Sequence, residues 1–164
     1  MTIEPLTDAD VPTVAGWLAR PDVHRWLDFG RGRQQLPPAA LSLMLRQDAQ
    51  QMRLVRDDGG RAVGVVTLGD INTASRSAAL WYVIGEPQAT GRGHATRAVA
   101  AILVEAFGPL RLHAVQAWAV DVNAASIRVL ENNGFHRAGR LRACHLIEGR
   151  LYDRVLFDRL ADDA

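Results

Sequence analysis

The sequence contains no lysine: all 19 of its Lys and Arg residues are arginines. A Walker-type nucleotide loop is therefore excluded, because its lysine must reach the terminal phosphates. Mechanisms that use a Schiff-base lysine or a Ser-Lys pair are excluded for the same reason. Any anion site in this chain must depend on backbone amides or on arginine.

Cysteine, long apolar runs and a basic N-terminus are also lacking. The single cysteine, Cys144, excludes an internal disulfide framework, and its place on an alternating strand predicts a small core residue. No apolar run approaches the length of a membrane span. Met1–Pro5 has neither the basic patch nor the apolar core of an export signal. We therefore expect a cytoplasmic protein with no membrane partner.

The charge balance argues against nucleic acid as a partner. The formal net charge is +1, with 23% charged residues, and the arginines are scattered along the chain. No His, Cys or Asp spacing indicates a metal site. With 164 residues, of which 48% are hydrophobic, the chain has the composition of one globular domain, which we assign to residues 1–164.

A glycine-rich loop, Gln88–Ala95, separates an apolar strand (Ala78–Ile84) from an amphipathic helix (Thr96–Phe107). Glycines at the start of a helix let a ligand approach the backbone, and the free amides of the first turn favour an anion. The loop therefore predicts a phosphate cradle. A dinucleotide fingerprint is disfavoured because Thr96 stands where its third glycine would be. The alternative is an ordinary strand-to-helix turn.

A second group of polar residues follows the strand His113–Val120. Asn123 can cap the next helix, Ser126 lies on the same face one turn on, and Asn133-Gly134 can end that helix in the left-handed conformation. The alternative is that Asn123 is only a cap and Ser126 a solvated helix residue.

The remaining periodicity predicts an alternation of strands and helices without repeats. Thr7-x-x-Asp10 is a capping box, which predicts that a helix begins there. The other predicted elements are the strand Thr2–Leu6, a helix from Pro37-Pro38 to Ala49, the strands Met52–Arg56, Ala62–Leu68 and Ser77–Ile84, and a hairpin of His136–Ile147 with Leu151–Leu160.

Taken in order, strand, Gly-x-Gly, helix, strand, Asn-x-x-Ser, helix and Gly-Phe resemble the GNAT superfamily of acyl-CoA-dependent N-acyltransferases. The stretch Asn-x-x-Ser-x-x-x-Leu-Glu-x-x-Gly-Phe, from Asn123 to Phe135, is most similar to the RimJ/RimL-like branch. The resemblance covers roughly residues 2–160. It implies an α/β fold with a central mixed, mostly antiparallel sheet of about seven strands flanked by four helices, with strands splayed at the acyl-CoA site.

The resemblance also implies how acetyl-CoA is held as a co-substrate without metal. Main-chain groups near Val83 bind the pantetheine and polarise the acetyl carbonyl, loop amides bind the pyrophosphate, and Asn123 contacts the pantetheine arm. The loop pattern of the superfamily, Arg/Gln-x-x-Gly-x-Gly/Ala, fits this chain in two registers, one starting at Gln88 and one at Thr90. We prefer the second, in which Ala95 lets the helix lie close to the cofactor. The expected cofactor residues are Val83, Gly91, Arg92, Gly93, His94, Ala95, Thr96 and Asn123.

Acyl transfer to an amine needs a neutral amine and a proton or hydrogen bond for the departing thiolate. Many members of the superfamily supply a tyrosine where this chain has Leu130, so Ser126 is the expected proton donor or thiolate stabiliser. His145 is the expected base, because its ordinary pKa is about 6.5. A purely structural His145, and Asp70 as the base, stay open as alternatives.

The expected acceptor wall consists of Trp26, Asp28, Asp70 and Trp81. The expected reaction is acetyl transfer to a primary amine, either a protein N-terminus or a small molecule such as an amino sugar, aminoglycoside or polyamine. An acidic pocket would favour polycations, and a neutral aromatic one a peptide or sugar. Alternatives are a longer acyl-CoA or a non-catalytic acyl-CoA-binding regulatory module. We expect a monomer or homodimer.

Overall fold

The computed structural model describes residues 1–163, which contain seven strands and five α-helices. The strands are β1 (Thr2–Pro5), β2 (Gln51–Arg56), β3 (Ala62–Asn72), β4 (Ser77–Ile84), β5 (Ala114–Val120), β6 (His136–Ile147) and β7 (Arg150–Leu160). The α-helices are α1 (Val11–Leu18), α2 (Pro21–His24), α3 (Pro38–Leu45), α4 (His94–Phe107) and α5 (Ala124–Asn132). Short 3-10 turns precede α1 and α4, at Asp8–Asp10 and Pro87–Ala89.

All of these strands form one sheet in the order β1-β2-β3-β4-β5-β7-β6. Among the described residues, β4 and β5 are the one parallel pair of neighbours, and the other neighbours are antiparallel. β4 and β5 pair only where Ser77–Ala79 lies opposite Ala114–Gln116. Beyond this short ladder the strands diverge and a cleft opens between them. The predicted α/β fold with a splayed, mostly antiparallel mixed sheet is confirmed.

Helices cover both faces of the sheet. On one face α4 and α5 bury Ile102 and Leu130 in a core that includes Leu80 of β4. On the other face α1, α2 and α3 pack over a second core, which includes Leu41 of α3 and Val83 of β4. Since side chains alternate along a strand, β4 presents consecutive residues to opposite faces. The cleft beside β4 is therefore accessible to groups from both layers.

Gly85 fixes the position of α1 beside the end of β4. A Cβ at Gly85 would lie 2.1 Å from the Trp17 ring, so a larger residue would push α1 away. Trp17 Nε1 donates to Glu86 at 3.0 Å, and Arg20 Nη1 donates to the Gly85 carbonyl at 2.6 Å. These contacts attach the first helical layer to the strand that borders the cleft.

Helix boundaries differ from the sequence prediction in three places. The single turn α2 was not predicted. It forms because the fixed φ of Pro21 suits the first position of a helix, and because the amides of Val23 and His24 both donate to the Arg20 carbonyl. α3 ends at Leu45 because the last amides switch to i−3 carbonyls. α4 begins at His94 because Gly93 adopts the left-handed conformation directly before it. The capping box of Thr7 and Asp10 is confirmed.

The prediction that Cys144 is a core residue is wrong. Between Leu141 and His145 the register of β6 on β7 shifts, and Ala143 within this bulge has φ +48°. The bulge breaks the alternation, so that Cys144 is exposed and His145 is buried. None of the helices in the described residues is both long and apolar enough to cross a membrane.

Candidate active site

A cavity of about 1620 Å³ occupies the cleft between β4 and β5 and extends to both faces of the sheet. Single small-ligand pockets have volumes of about 300–1,000 Å³. The cavity therefore has room for two substrates, one entering from the α4 and α5 side and one from the side of α1, α2 and α3.

The glycine loop forms one end of this cavity. Gly91 and Gly93 have φ values of +76° and +75°, a conformation that favours glycine. Among residues 1–163, no atom lies within 4 Å of a Cβ built at either glycine, and no side chain caps α4 after Gly93. Backbone amides at this helix start are thus free for an anion, and Gly91, Gly93, His94, Ala95 and Thr96 line the cavity. The residues present fit a pyrophosphate.

Side chains around the loop contribute unequally. Arg92 and Gln88 are exposed and do not line the cavity. His94 is buried, and its Nδ1 lies 3.1 Å from Arg97 Nη2. The helix starts immediately after Gly93, so that Ala95 lies in its first turn and lines the cavity. In this arrangement the loop amides, and not the Arg92 side chain, face the cavity.

Asn123 holds the start of α5 at the edge of the cleft. Its Oδ1 accepts a hydrogen bond from the Ser126 amide at 3.2 Å, which is the predicted cap. Within residues 1–163 its Nδ2 has no hydrogen-bond partner, and Asn123 lines the cavity. The cap therefore leaves the Asn123 amide nitrogen as a free donor on a residue that lines the cavity. The Asn133 side chain donates to the carbonyls of Thr96 and Val129, which ties α5 to α4.

Ser126 meets a tyrosine that sequence reasoning missed. Tyr82 Oη lies 2.8 Å from Ser126 Oγ and 3.2 Å from the Ser126 carbonyl oxygen, and both residues line the cavity. Burial raises the pKa of Tyr82 to about 12, against a smaller lowering effect of the Ser126 hydrogen bond. The alternation of β4 could have revealed the contact, because Tyr82 shares a face with the core residue Leu80. Leu130, at the position of the superfamily's tyrosine, is fully buried.

His145 does not line the cavity, and both of its ring nitrogens have partners. It is 2% exposed; its Nε2 donates to the Arg25 carbonyl at 2.7 Å, while Nδ1 accepts from Arg154 Nη2 at 2.9 Å. Burial lowers the pKa of His145, and the Arg154 charge acts in the same direction, against the raising effects of the Arg25 carbonyl and Asp28. Because both ring nitrogens are occupied by these hydrogen bonds, this geometry does not support the predicted role of His145 as the base.

The wall near His145 combines an ion pair with aromatic rings. Arg154 Nη2 donates to Asp28 Oδ2 at 2.6 Å, and the two side chains are 15% and 13% exposed. The guanidinium carbon of Arg154 lies 3.9 Å from the centroid of the Trp118 ring. Asp28, Arg154 and Trp118 all line the cavity. Burial raises the pKa of Asp28, but hydrogen bonds from Arg154 and the Gly30 amide outweigh it, so the pKa is lowered and the pair is charged.

The other predicted acceptor residues also reach the cavity. Trp81 packs edge-on against Phe29, with 5.3 Å between ring centroids, and Arg25 lies 5.0 Å above the Trp26 ring. Trp26, Trp81 and Asp70 line the cavity. Asp70 is exposed, follows the strongly paired part of β3, and has no ion-pair partner within the described chain. The structure thus brings together all four predicted wall residues.

Among residues 1–163 no group of three or more His, Cys, Asp or Glu side chains is placed to hold a metal ion. The cavity instead combines free amides at one end, paired hydroxyls at its middle and an aromatic, charge-paired wall at the other end. Such an arrangement can hold an anionic group, stabilise a leaving anion and orient a second ligand.

Sequence comparisons identify a family. The acetyltransferase (GNAT) domain family has a sequence model that matches residues 1–136. The probable N-acetyltransferase YjcK of Bacillus subtilis is 36% identical over 104 residues, which are 63% of this chain and 57% of YjcK. The match therefore spans little more than half the length of that relative.

Solved structures show the same fold. Spermidine N-acetyltransferase from Vibrio cholerae, in complex with CoA and spermine, aligns with a TM-score of 0.88 at 22% identity, over 99% of this chain and 96% of that one. RimJ of Mycobacterium smegmatis, in complex with CoA-disulfide, aligns with a TM-score of 0.80 at 23% identity, over 98% of this chain and 81% of that one. At these identities the likeness establishes the fold alone.

Proposed function

Because the chain belongs to the acetyltransferase (GNAT) family, a family of acyl-CoA-dependent transferases, we propose that it moves an acetyl group from acetyl-CoA to a primary amine. The amine attacks the thioester directly in a ternary complex. The observation that carries this proposal is one continuous cavity that joins the glycine loop to the aromatic wall through the cleft between β4 and β5.

We propose that acetyl-CoA binds along the cofactor half of the cavity through backbone and side-chain hydrogen-bond donors. The amides from Gly91 to Thr96 would bind the pyrophosphate at the start of α4, and Arg92 would add charge from outside the cavity. Asn123 Nδ2 would contact the pantetheine arm, and main-chain groups near Val83 would polarise the acetyl carbonyl. These residues bind and orient the thioester; acetyl-CoA supplies the activated acyl group.

The chemical step needs a group for the leaving thiolate and a path for the amine proton. Ser126 would donate a hydrogen bond to the thiolate from the first turn of α5. His145 has no free nitrogen, so we propose that it positions Arg154 and the segment at Arg25. The amine would arrive deprotonated or lose its proton through water to Asp70, which is exposed in the cavity.

The acceptor half favours a neutral or singly charged amine. The carboxylate of Asp28 is paired with Arg154, and the surrounding surface is aromatic. Of the two carboxylates in this wall, Asp28 is already neutralised, and Asp70 alone has no ion-pair partner within residues 1–163, so a polycation gains little charge pairing there. Trp81, Trp118 and Phe29 offer flat apolar contacts instead. We therefore propose a peptide N-terminus or an amino sugar as the acceptor ahead of a polyamine. The V. cholerae relative, which binds spermine, makes the polyamine a necessary competitor in any assay.

Two further possibilities follow from particular observations. The volume of about 1620 Å³ leaves room for a longer acyl chain beside Trp81 and Trp118. Leu130 in place of a tyrosine keeps a non-catalytic acyl-CoA-binding role open. A cytoplasmic location and a monomeric or homodimeric state complete the proposal.

A thiol-release assay tests the function. Acetyl-CoA is offered with peptides that have free N-termini, with glucosamine and with spermidine, and an N-acetylated copy of each peptide serves as the control. We expect CoA release with a free peptide or with glucosamine to exceed release with spermidine. Release with spermidine alone would refute the acceptor assignment, and no release with any amine, despite CoA binding, would favour the non-catalytic role.

A further inference from the structure

On the basis of the proposed function, we propose that Tyr82 is a positioning residue for the leaving thiolate and acts through Ser126. The two hydroxyls form a chain in which Tyr82 donates to Ser126 and Ser126 donates to the sulfur. Tyr82 lies on β4 and Ser126 on α5, so the contact crosses the cleft between the two layers.

The geometry gives Tyr82 two acceptors for its one proton. Its Oη lies within hydrogen-bond distance of both the Ser126 carbonyl oxygen, at 3.2 Å, and Ser126 Oγ, at 2.8 Å. While the Tyr82 proton points to the carbonyl, the Ser126 hydroxyl can donate to Tyr82 Oη. When Ser126 turns its proton to an anion, Tyr82 can rotate its proton to Ser126 Oγ. Neither step moves a heavy atom.

Such a chain strengthens the donor at its end. A hydroxyl that accepts a hydrogen bond is polarised and donates more strongly, and the effect is larger in a buried site. Ser126 alone would turn to the sulfur and leave its own oxygen without a donor. With Tyr82 behind it, the oxygen is satisfied throughout the reaction.

The chain stabilises the thiolate and does not protonate it. Burial raises the pKa of Tyr82 to about 12, whereas a cysteine-like thiol has a pKa of about 8.5, so proton transfer from Tyr82 to the thiolate is uphill. In the balanced step the amine nitrogen forms the new bond to the acetyl carbon, the carbon-sulfur bond breaks, and sulfur leaves with the electron pair. The amine proton passes to water, and the released thiolate takes its proton from solvent.

A binding experiment tests this role without turnover. CoA and desulfo-CoA differ only at the sulfur, so the ratio of their dissociation constants between pH 6 and 10 reports how well the site holds the thiolate. We expect wild-type protein to favour CoA increasingly as pH rises. Tyr82→Phe and Ser126→Ala should lose this gain while binding desulfo-CoA as wild type does. Tyr152→Phe, which removes the chain's other tyrosine hydroxyl from outside the cavity, is the matched control.

Kinetics then separate a chain from two independent contacts. Tyr82→Phe should lower kcat about tenfold or more, as expected when a hydrogen bond to a charged group weakens. The double variant Tyr82→Phe/Ser126→Ala should be no slower than Ser126→Ala, because Tyr82 acts only through Ser126. Additive losses, or a Tyr82→Phe protein that keeps the pH-dependent preference for CoA, would overturn the proposal.

The outcomes also distinguish this inference from the proposed function. If no amine is acetylated but the pH-dependent preference for CoA disappears in Tyr82→Phe, the proposed acetyl transfer is wrong and the proposed role of Tyr82 and Ser126 is supported. If turnover is normal and Tyr82→Phe behaves as Tyr152→Phe does, the proposed role of Tyr82 is wrong and the proposed function is supported. Wild-type protein that binds neither CoA nor desulfo-CoA would overturn both.

Discussion

Asp28 and Arg154 form an ion pair across 126 residues of sequence, with 2.6 Å between Oδ2 and Nη2. Asp28 Oδ1 also accepts from the amides of Gly30 and Gly32, at 2.7 and 3.1 Å. The pair therefore ties the loop after α2 to the middle of β7. Since Arg154 also lies on Trp118 and bonds to His145, this one salt bridge joins Asp28, Trp118 and His145 into one group.

Removing the charge of Asp28 should lower the stability of the protein and weaken acceptor binding. Asp28→Asn keeps the shape of the side chain but leaves the Arg154 guanidinium buried without its counter-ion, so we expect a loss of about 3 kcal/mol in the free energy of unfolding. Urea unfolding measures the loss. Acceptor KM should rise while CoA affinity is unchanged. Asp22→Asn, in the exposed pair with Arg20, is the control and should change stability much less. Equal effects of the two substitutions would contradict the structural role of the pair.

His145 should make stability depend on pH in a defined direction. Burial lowers its pKa in the folded state, whereas the unfolded chain titrates near the ordinary value of about 6.5. Between these two pKa values the unfolded state binds more protons, so the free energy of unfolding falls as pH drops from about 7 through that interval. The groups that face His145 are Arg154, Asp28 and the Arg25 carbonyl, and the Asp28 contribution is lost only below its ordinary pKa of 3.8.

Unfolding at pH 7.5, 6.5 and 5.5 measures this effect. His145→Gln cannot titrate but can still bond to Arg25 and Arg154, so its stability should vary less over this interval than that of wild type. His113→Gln, at an exposed histidine before β5, should keep the wild-type slope. A His145→Gln protein with an unchanged slope would show that His145 titrates in the folded state as it does in the unfolded chain.

Much of the fold followed from local signals. The bounds of β4 and β6 were predicted to the residue, because period-two alternation and flanking turn residues define a strand locally. The helix after Gly93 was predicted two residues late, since its left-handed cap depends on backbone conformation. The burial of His145 and the exposure of Cys144 could not be predicted, because the bulge in β6 is set by its pairing with β7.

The residues of the candidate site were likewise predictable only where local sequence encodes them. The glycine loop, Asn123 and Ser126 are encoded in short stretches, and the resemblance of those stretches to the GNAT pattern implied that they share one site; all three line the cavity. The partners of these residues come from distant strands. Tyr82 reaches Ser126 from 44 residues away, and Arg154 reaches Asp28 from β7. Such pairings depend on strand order, which single-sequence periodicity does not specify.

Turnover should survive removal of metal. The described residues offer no cluster of three metal-ligating side chains, and the cradle depends on amides. We expect the rate of thiol release after dialysis against EDTA to equal the untreated rate, and added Mg²⁺ or Mn²⁺ to change it little. Loss of activity on chelation with recovery on adding a divalent ion would mean that a metal takes part in the reaction.

Replacing Gly93 should weaken CoA binding by more than its effect on the stability of the loop explains. Gly93→Ala places a methyl group at φ +75°, which costs about 1–2 kcal/mol for a left-handed residue and puts a Cβ where the phosphates approach the backbone. Gly60→Ala is matched, since Gly60 has φ +79°, no atom within 4 Å of a built Cβ, and a position outside the cavity. Both variants should lose similar stability, whereas isothermal titration should show at least a tenfold loss of CoA affinity for Gly93→Ala alone. A folded Gly93→Ala protein that binds CoA as Gly60→Ala does would rule out the glycine loop as the pyrophosphate site. The Arg128 side chain, which also lines the cavity, would then be the next candidate for binding the phosphates.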